Sequence, residues 1–202
     1  MQLFCKVSCL NTIILCNFTP LKKSYHITKC ESNAAAEYFD VVDVFDRVVG
    51  VAPRQYIHAN KLYHRAVHVF VFNYKNNIFL QKRSLNKDSA PGKWVSSCSG
   101  HVDCGEYYFD AAQRELAEEI GLNNPMNLKL AKIERARPET GYEHVHLFVC
   151  YADGPFRLNP AEISEGVWIA PEKLDLWIDE KPRDFAWSFV YLWQRYRSQL
   201  NK

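Results

Sequence analysis

Three glutamates, Glu115, Glu118 and Glu119, stand at positions i, i+3 and i+4 of one segment. On an α-helix this spacing places all three side chains on one face, opposite the apolar stripe of the same helix. In an ordinary acidic helix such a face is simply solvated, with Arg114 paired to Glu118 one turn on. The alternative is a site for hard divalent cations, which take oxygen ligands and bind substrate phosphates at the same time.

The segment around these glutamates carries the pattern of an amphipathic helix. Apolar residues recur at intervals of three and four, and a glycine follows where the C-terminus of a helix favours a left-handed residue. These positions are Phe109, Ala112, Leu116, Ile120 and, at the end, Gly121. The spacing predicts a helix from about Tyr108 to Ile120 that presents the three carboxylates together.

The residues before and within this helix favour the metal site. Gly100 is followed after five residues by Glu106, and after seven more by the run RELAEEIGL, which starts at Arg114. This arrangement resembles the Nudix box at every defining position, and so many restricted positions in one short stretch argue against a chance match. The wider resemblance runs from about Tyr38 to Leu200. The box positions are Gly100, Glu106, Arg114, Glu115, Glu118, Glu119 and Gly121.

The resemblance implies an α/β fold, a Nudix-type α/β/α sandwich with a mixed β-sheet, in which a strand, a loop and a helix form the site. It implies that Glu115, Glu118 and Glu119 hold Mg²⁺ or Mn²⁺. The catalytic candidates are Glu118, Glu119 and Arg114, with Arg114 orienting the carboxylates, and Glu106 would brace the box.

The chemistry that this resemblance implies is hydrolysis of a diphosphate linkage. Metal ions neutralise the diphosphate oxygens and lower the pKa of a bound water, which attacks one phosphorus in line and expels the other phosphate-bearing fragment. A glutamate beside the metals, or one from another strand, would accept the proton of that water.

A second and narrower resemblance lies outside the box. The segment from His58 to His68 leads into a predicted core strand, and a Pro-Gly-Lys-Trp sequence precedes Ser99 and Gly100. Together these segments look like isopentenyl-diphosphate isomerases of type 1 and their Nudix relatives. In the isomerases, two such histidines, the histidine after the box glycine and downstream glutamates bind one metal. The matching residues form a candidate second site for zinc or manganese, namely His58, His64, His101 and Glu143.

Departures from the isomerase pattern favour hydrolysis. Ser99 occupies the position of the isomerases' acid–base cysteine, and a serine hydroxyl hardly ionises near neutrality. Cys98 is one residue away, and adjacent side chains on a strand face opposite ways. Gly141 stands where one of the two downstream glutamates would be. The first hypothesis is therefore a hydrolase; the alternatives are an isopentenyl-diphosphate isomerase-like enzyme and a non-catalytic Nudix module that only binds a ligand or partner.

Other polar residues have two interpretations each. Arg83 and Lys87 flank the loop before the site and are candidates for binding terminal phosphate oxygens, although two solvated basic side chains would show the same pattern. His68, His144 and His146 fit hydrogen-bonded structural roles. No residue identifies a nucleobase, so the predicted substrate is a small diphosphate, either nucleotide-like or another organic compound.

Composition limits the class of partner. The 202 residues include 25 Lys and Arg against 23 Asp and Glu, and this near balance gives no electrostatic footprint for nucleic acid or an acidic membrane. No apolar run reaches the roughly 20 residues that a membrane-spanning helix needs. Seven cysteines, an odd number at irregular spacing, favour reduced thiols in a cytoplasmic compartment.

The chain divides into two parts. Residues 1–36 are predicted to be an N-terminal extension, either disordered or a targeting segment; they carry four lysines and no acid before Glu31. Residues 37–202 are predicted to be the Nudix domain, with strands interleaved with two helices, as in a layered α/β fold.

The strands are recognised by apolar, β-branched and aromatic runs bounded by turn residues. Their predicted extents are Tyr38 to Asp43, Ala66 to Phe72, Ile78 to Lys82, Trp94 to Cys98, Leu128 to Ala136, Val145 to Tyr151 and Val167 to Ile169. The second and third of these are predicted to form a hairpin, and Asp46 to Gly50 a turn. A terminal amphipathic helix is predicted from Asp184 to Leu200.

Overall fold

The structure, a computed structural model, describes residues 37–123, 125 and 127–200, so the predicted extension over residues 1–36 lies outside the described residues. Within the described part, the chain forms nine β-strands and four α-helices. The strands are β1 (Tyr38–Val42), β2 (Val48–Pro53), β3 (His64–Phe72), β4 (Ile78–Arg83), β5 (Trp94–Val95), β6 (Cys98–His101), β7 (Lys129–Glu134), β8 (Glu143–Tyr151) and β9 (Ile163–Ile169). The helices are α1 (Arg54–Ala59), α2 (Tyr108–Ile120), α3 (Pro171–Glu180) and α4 (Trp187–Tyr196).

Seven strands form one mixed sheet, in the order β5-β4-β3-β8-β7, with β6 also paired to β3 and β9 to β4. The β3–β8 pair is parallel, from His64 opposite Glu143 to Phe72 opposite Tyr151, and the other pairs are antiparallel. Both central strands are covered on their two faces, which is why they are nearly continuous apolar runs. Their register places a histidine and a glutamate side by side at one end of the sheet.

Helices pack on both faces of this sheet because alternate residues of a strand face opposite ways. On one face, Val67 and Val69 of β3 pack in a core with Leu116 of α2. On the other face, Phe70 joins a core with Phe189 and other residues of α3 and α4. This arrangement confirms the predicted α/β/α sandwich with a mixed sheet.

Strands β1 and β2 and helix α1 form a small unit beside the main sheet. Strands β1 and β2 make a separate antiparallel pair, and Phe39, Ala52 and Ile57 bury its apolar face. The backbone N–H of Val42 donates to Tyr63 O, which ties this unit to the start of β3. The unit thereby carries α1, a single short helix that the sequence did not predict, to the end of the main sheet.

The segment predicted as one strand from Trp94 to Cys98 is instead divided between two strands. Residue pairs link β5 to β4, whereas β6 pairs with β3. Between them, the Ser97 hydroxyl donates to Phe79 O and accepts from the N–H of Val71, so a side chain replaces backbone pairing at the point where β3 and β4 separate. The predicted β3–β4 hairpin is accordingly reduced to one residue pair, Phe72 with Ile78.

Other element boundaries shift without changing the topology. The predicted turn from Asp46 to Gly50 overlaps the start of β2, and α3 raises the number of helices beyond the two that periodicity predicted. Helix α2 has the predicted bounds, and Gly121 ends it with a left-handed φ of 71°. None of the described helices has the length and apolar character that crossing a bilayer requires.

Candidate active site

The three glutamates of α2 lie on the wall of a cavity of about 670 Å³. Glu119 is buried and Glu115 is nearly so, whereas the Glu118 side chain is 58% exposed. The cavity is bounded by α2 on one side, by the ends of β3 and β6 below, and by the loop after β4. The helical spacing therefore does bring the three predicted metal ligands to one place, at three different depths.

Arg114 lies among these carboxylates. Its Nε and Nη2 each donate to one oxygen of Glu106 at 2.9 Å, a bidentate pair. Its Nη1 donates to Glu115 at 2.7 Å and to Glu118 at 3.3 Å, and Nη2 also donates to His101 O at 3.0 Å. One guanidinium thus connects the box loop, the helix and β6, and it leaves little freedom to the carboxylates it contacts.

Gly100 makes room for Glu115. A Cβ atom at position 100 would lie 2.0 Å from Oε1 of Glu115, far inside van der Waals contact. The glycine is required here by space rather than by backbone conformation. Because position 100 has no side chain, the Glu115 carboxylate can lie against β6 and still face the cavity.

The buried glutamates have unfavourable surroundings for a negative charge. Burial, and then the neighbouring Glu119, raise the pKa of Glu115 to about 7 in spite of Arg114. Burial also raises the pKa of Glu119, against hydrogen bonds from Cys98, the Ser99 N–H and Gln81. Two close carboxylates that burial pushes toward the neutral form gain most from a bound cation, so this donor set fits a divalent metal.

The four residues of the predicted histidine site come together in what we call the histidine end of the cavity, where His101 and Glu143 line the wall. The Nε2 atoms of His58 and His101 lie 3.2 Å apart. Oε1 of Glu143 lies 3.3 Å from His101 Nε2 and 3.6 Å from His64 Nε2. Helix α1, β3, β6 and β8 each supply one of these side chains.

This histidine end also fits a metal. Buried His64 bonds to Leu62 O through Nδ1, at 2.9 Å, while its Nε2 has no hydrogen-bond partner. The ligand atoms of the three histidines all lie within 4.8 Å of one another. Burial, with the neighbouring histidines, lowers the pKa of His58 to about 4, so this imidazole is neutral near pH 7. Burial opposes the charge of Glu143, but the adjacent imidazoles of His101 and His64 hold its pKa well below its usual range.

The predicted phosphate-binding residues Arg83 and Lys87 both line the cavity. Each already has a partner: Arg83 Nε donates to Ser89 O at 2.9 Å, and Lys87 forms an ion pair with Glu162. Both side chains therefore lie on the cavity wall with protein partners already in place.

Three further residues were missed from the sequence, two of them on the cavity wall and one buried in the sheet. Glu162, before β9, lies on the wall and interacts electrostatically with Glu119; Arg54, at the start of α1, forms a bidentate pair with Asp88. Gln81 bonds to Glu119 from β4. In the strand sequence IFLQKR, Gln81 is the first of three polar residues, so its polarity alone did not distinguish it from Lys82 and Arg83.

The neighbours of the box glycine face as strand geometry requires. Ser99 lines the cavity, whereas the side chain of Cys98 is fully buried beneath α2. The other strand histidines have structural partners: His68 Nδ1 lies 2.6 Å from Ser96 Oγ, His144 Nε2 lies 3.0 Å from Asp43 O, and His146 stacks on Tyr108. The structure therefore separates the four clustered residues of the histidine end from these three.

The sandwich with a strand, a loop and a carboxylate-bearing helix at its cavity defines a layered α/β domain of the Nudix class. The family model of the NUDIX domain matches residues 62–189, well over half of the chain. The chain therefore belongs to the Nudix hydrolase family, whose members generally use divalent metals.

The similar proteins include some that are named Nudix hydrolases and some that are named isomerases. An uncharacterised Nudix hydrolase of Yersinia pestis is 36% identical over 154 residues, which cover 74% of this chain and 83% of the relative. A protein named isopentenyl-diphosphate Delta-isomerase 2, from Photorhabdus laumondii, is 31% identical over 79% of this chain and 98% of its own length. The crystal structure of DR0079 from Deinococcus radiodurans matches with a TM-score of 0.70 at 25% identity, over 79% of this chain and 98% of that one.

Proposed function

We propose that this protein is a Mg²⁺-dependent pyrophosphohydrolase that cleaves the diphosphate linkage of a small nucleotide-like or other organic diphosphate. One observation carries the proposal. Glu115, Glu118 and Glu119 meet at the wall of one cavity, and Gly100 leaves the space that Glu115 occupies. Oxygen ligands on one helix face, beside a cavity large enough for a diphosphate compound, suit a hard cation that also binds phosphate.

The residues of the chain have distinct parts in this reaction. When bound, Mg²⁺ neutralises diphosphate oxygens and lowers the pKa of a water molecule. Glu115, Glu118 and Glu119 hold it, and Arg114 keeps the first two in place through its hydrogen bonds. Arg114 is a catalytic candidate through that contact rather than through contact with the substrate.

Three other residues of the cavity wall would accept the proton and bind the leaving phosphate. Glu162 faces the carboxylates from the loop before β9 and is positioned to accept the proton of the attacking water. Its partner Lys87, together with Arg83, is positioned to bind phosphate oxygens. The Lys87–Glu162 ion pair would then couple release of the phosphate to the state of the base.

The test is a screen of nucleotide and isoprenoid diphosphates with Mg²⁺, which follows phosphate-containing products and the migration of double bonds in parallel. In the substrate found, Glu118→Gln and Glu119→Gln should each lower hydrolysis by about 10²-fold or more, because each removes charge without changing shape. Glu172→Gln on the exposed surface of α3 is the matched control and should leave the rate unchanged. Circular dichroism verifies folding. Near-normal turnover in both α2 variants would refute the mechanism.

A second candidate function, isomerisation of isopentenyl diphosphate, has one specific observation in its favour. His58, His64, His101 and Glu143 assemble as a compact set, with an unpartnered buried nitrogen on His64, and this set suits Zn²⁺ or Mn²⁺. The relative from Photorhabdus laumondii is named an isomerase. Against isomerisation, Ser99 rather than a cysteine faces the cavity from β6. The double-bond arm of the same screen decides between the two activities.

A further inference from the structure

Gln81 is a buried amide in the middle of the sheet. It lies on β4, opposite Val95 of β5 and Gly166 of β9, and only 1% of its surface is exposed. A buried amide without partners costs free energy that an apolar side chain of similar size would not. Packing alone therefore does not explain a glutamine at this position.

The partner of Gln81 is Glu119 of the carboxylate cluster. Nε2 of Gln81 donates to Oε2 of Glu119 at 2.8 Å, and the backbone N–H of Ser99 donates to the same oxygen at 3.1 Å. Glu119 is thus held by donors from β4 and β6, at the deepest point of the α2 face.

Two donors on one oxygen fix the plane of a carboxylate. Helix α2 fixes the Cα of Glu119, but the long side chain retains rotatable bonds that the helix does not control. Binding of Oε2 on the sheet side removes that freedom. In other proteins, groups that hydrogen-bond to a metal-binding side chain on the side away from the metal orient that side chain. Their removal lowers metal affinity by roughly 10- to 100-fold.

We propose that Gln81 is a positioning residue that orients the Glu119 carboxylate for binding of the divalent metal. This inference rests on the proposed function, because it assigns to Glu119 the metal-ligand part. Gln81 does not itself contact the substrate, and its effect is transmitted through one hydrogen bond.

The test measures metal binding directly. Mn²⁺ affinity is measured by titration with electron paramagnetic resonance detection of free ion, in the unmodified full chain and in Gln81→Leu. The leucine keeps the volume and removes the donor, so we expect affinity at the α2 site to fall about 10-fold or more. Gln113→Leu is the matched control, since Gln113 lies on α2 but does not line the cavity, and its affinity should stay within about two-fold.

A double-mutant cycle separates positioning from a structural role. In a Glu119→Gln background, Gln81→Leu should produce no further loss of Mn²⁺ affinity, because its route of action has been removed. A lower melting temperature with unchanged affinity in the single variant would overturn the inference. So would a full further loss in the double variant.

A second variant and the metal binding of the unmodified protein decide the remaining outcomes. If Gln81→Leu does not fold, Gln81→Asn replaces it; this variant keeps an amide but shortens it by one methylene, and it should weaken Mn²⁺ binding by the same mechanism. Unchanged affinity in Gln81→Asn would overturn the inference. If the unmodified protein binds Mn²⁺ and hydrolyses diphosphates while Gln81→Leu binds equally well, only this inference fails. If the unmodified protein binds no divalent metal, the proposed function itself fails.

Discussion

The two ends of the cavity are built in opposite ways. At the carboxylate end, three of the charged groups come from a single helix, within five consecutive residues. At the histidine end, four side chains come from four separate elements, and the closest of them in sequence are six residues apart, His58 and His64. One end is local and the other depends on the whole fold.

The two ends also differ in how their polar atoms are satisfied. Glu119 and Glu115 have protein donors, namely Gln81, the Ser99 N–H and Arg114. At the histidine end, Nε2 of His64 is buried without a hydrogen-bond partner. Burying a polar atom without a partner costs free energy, and the two ends differ in this respect. The carboxylates already have protein hydrogen-bond donors, whereas the histidine end contains one buried nitrogen, Nε2 of His64, without a hydrogen-bond partner.

The largest effect is expected at the contact between the two ends. Gly100→Ala would place a Cβ 2.0 Å from Glu115 Oε1, so the carboxylate has to move by about 1 Å. Displacement of a catalytic group by that amount costs up to about 10²-fold in rate, and we expect hydrolysis to fall by roughly that factor. Gly50→Ala is the control, because no atom lies within 4 Å of its Cβ position. Equal rates in the two variants would show that Glu115 is not needed where it lies.

A more selective effect, on metal binding at one set of ligands, is expected at the histidine end. His64→Ala should remove binding of Zn²⁺ or Mn²⁺ at the histidine set. Loss of a residue that only hydrogen-bonds to a metal ligand lowers metal affinity by roughly 10- to 100-fold, and loss of a ligand itself should lower it at least as much. Binding at this set should survive in Glu119→Gln, because the two ends use different ligands. The measurement is metal stoichiometry by elemental analysis after dialysis. The control is His144→Ala, whose imidazole bonds to Asp43 O outside the cavity. Retention of the metal by His64→Ala would mean that this end is not a metal site.

The smallest effect is expected at Ser99, between the two ends. Ser99→Ala should leave hydrolysis within a few-fold, because metals and glutamates rather than this hydroxyl set the attacking water. The unmodified protein should not move the double bond of isopentenyl diphosphate in the presence of Mg²⁺. Ser99→Cys should give a trace of isomerisation only if the histidine set holds its metal. Allylic product formed by the unmodified protein well above background would reverse the order of the two proposed functions.

Features that depend on neighbours along the chain follow from the amino-acid sequence alone. Helix α2, its end at Gly121 and the common face of Glu115, Glu118 and Glu119 follow from a period of 3.6 residues, which acts over one or two turns. Similar short patterns predicted strands interleaved with two helices, a layered α/β fold, whereas the sandwich itself was implied by the resemblance to the Nudix box. The resemblance to the Nudix box rested on this same local segment.

Features that join distant parts of the chain arise only when the whole sheet has formed. The pairing of Gln81 with Glu119 spans 38 residues, and the division of the segment from Trp94 to His101 into β5 and β6 depends on which strands lie beside it. The parallel register of β3 and β8 placed His64 beside Glu143, and the packing of α1 added His58. Periodicity carries no information about such contacts, because they are set by strand order and register, which emerge only when the whole sheet is buried between its helices.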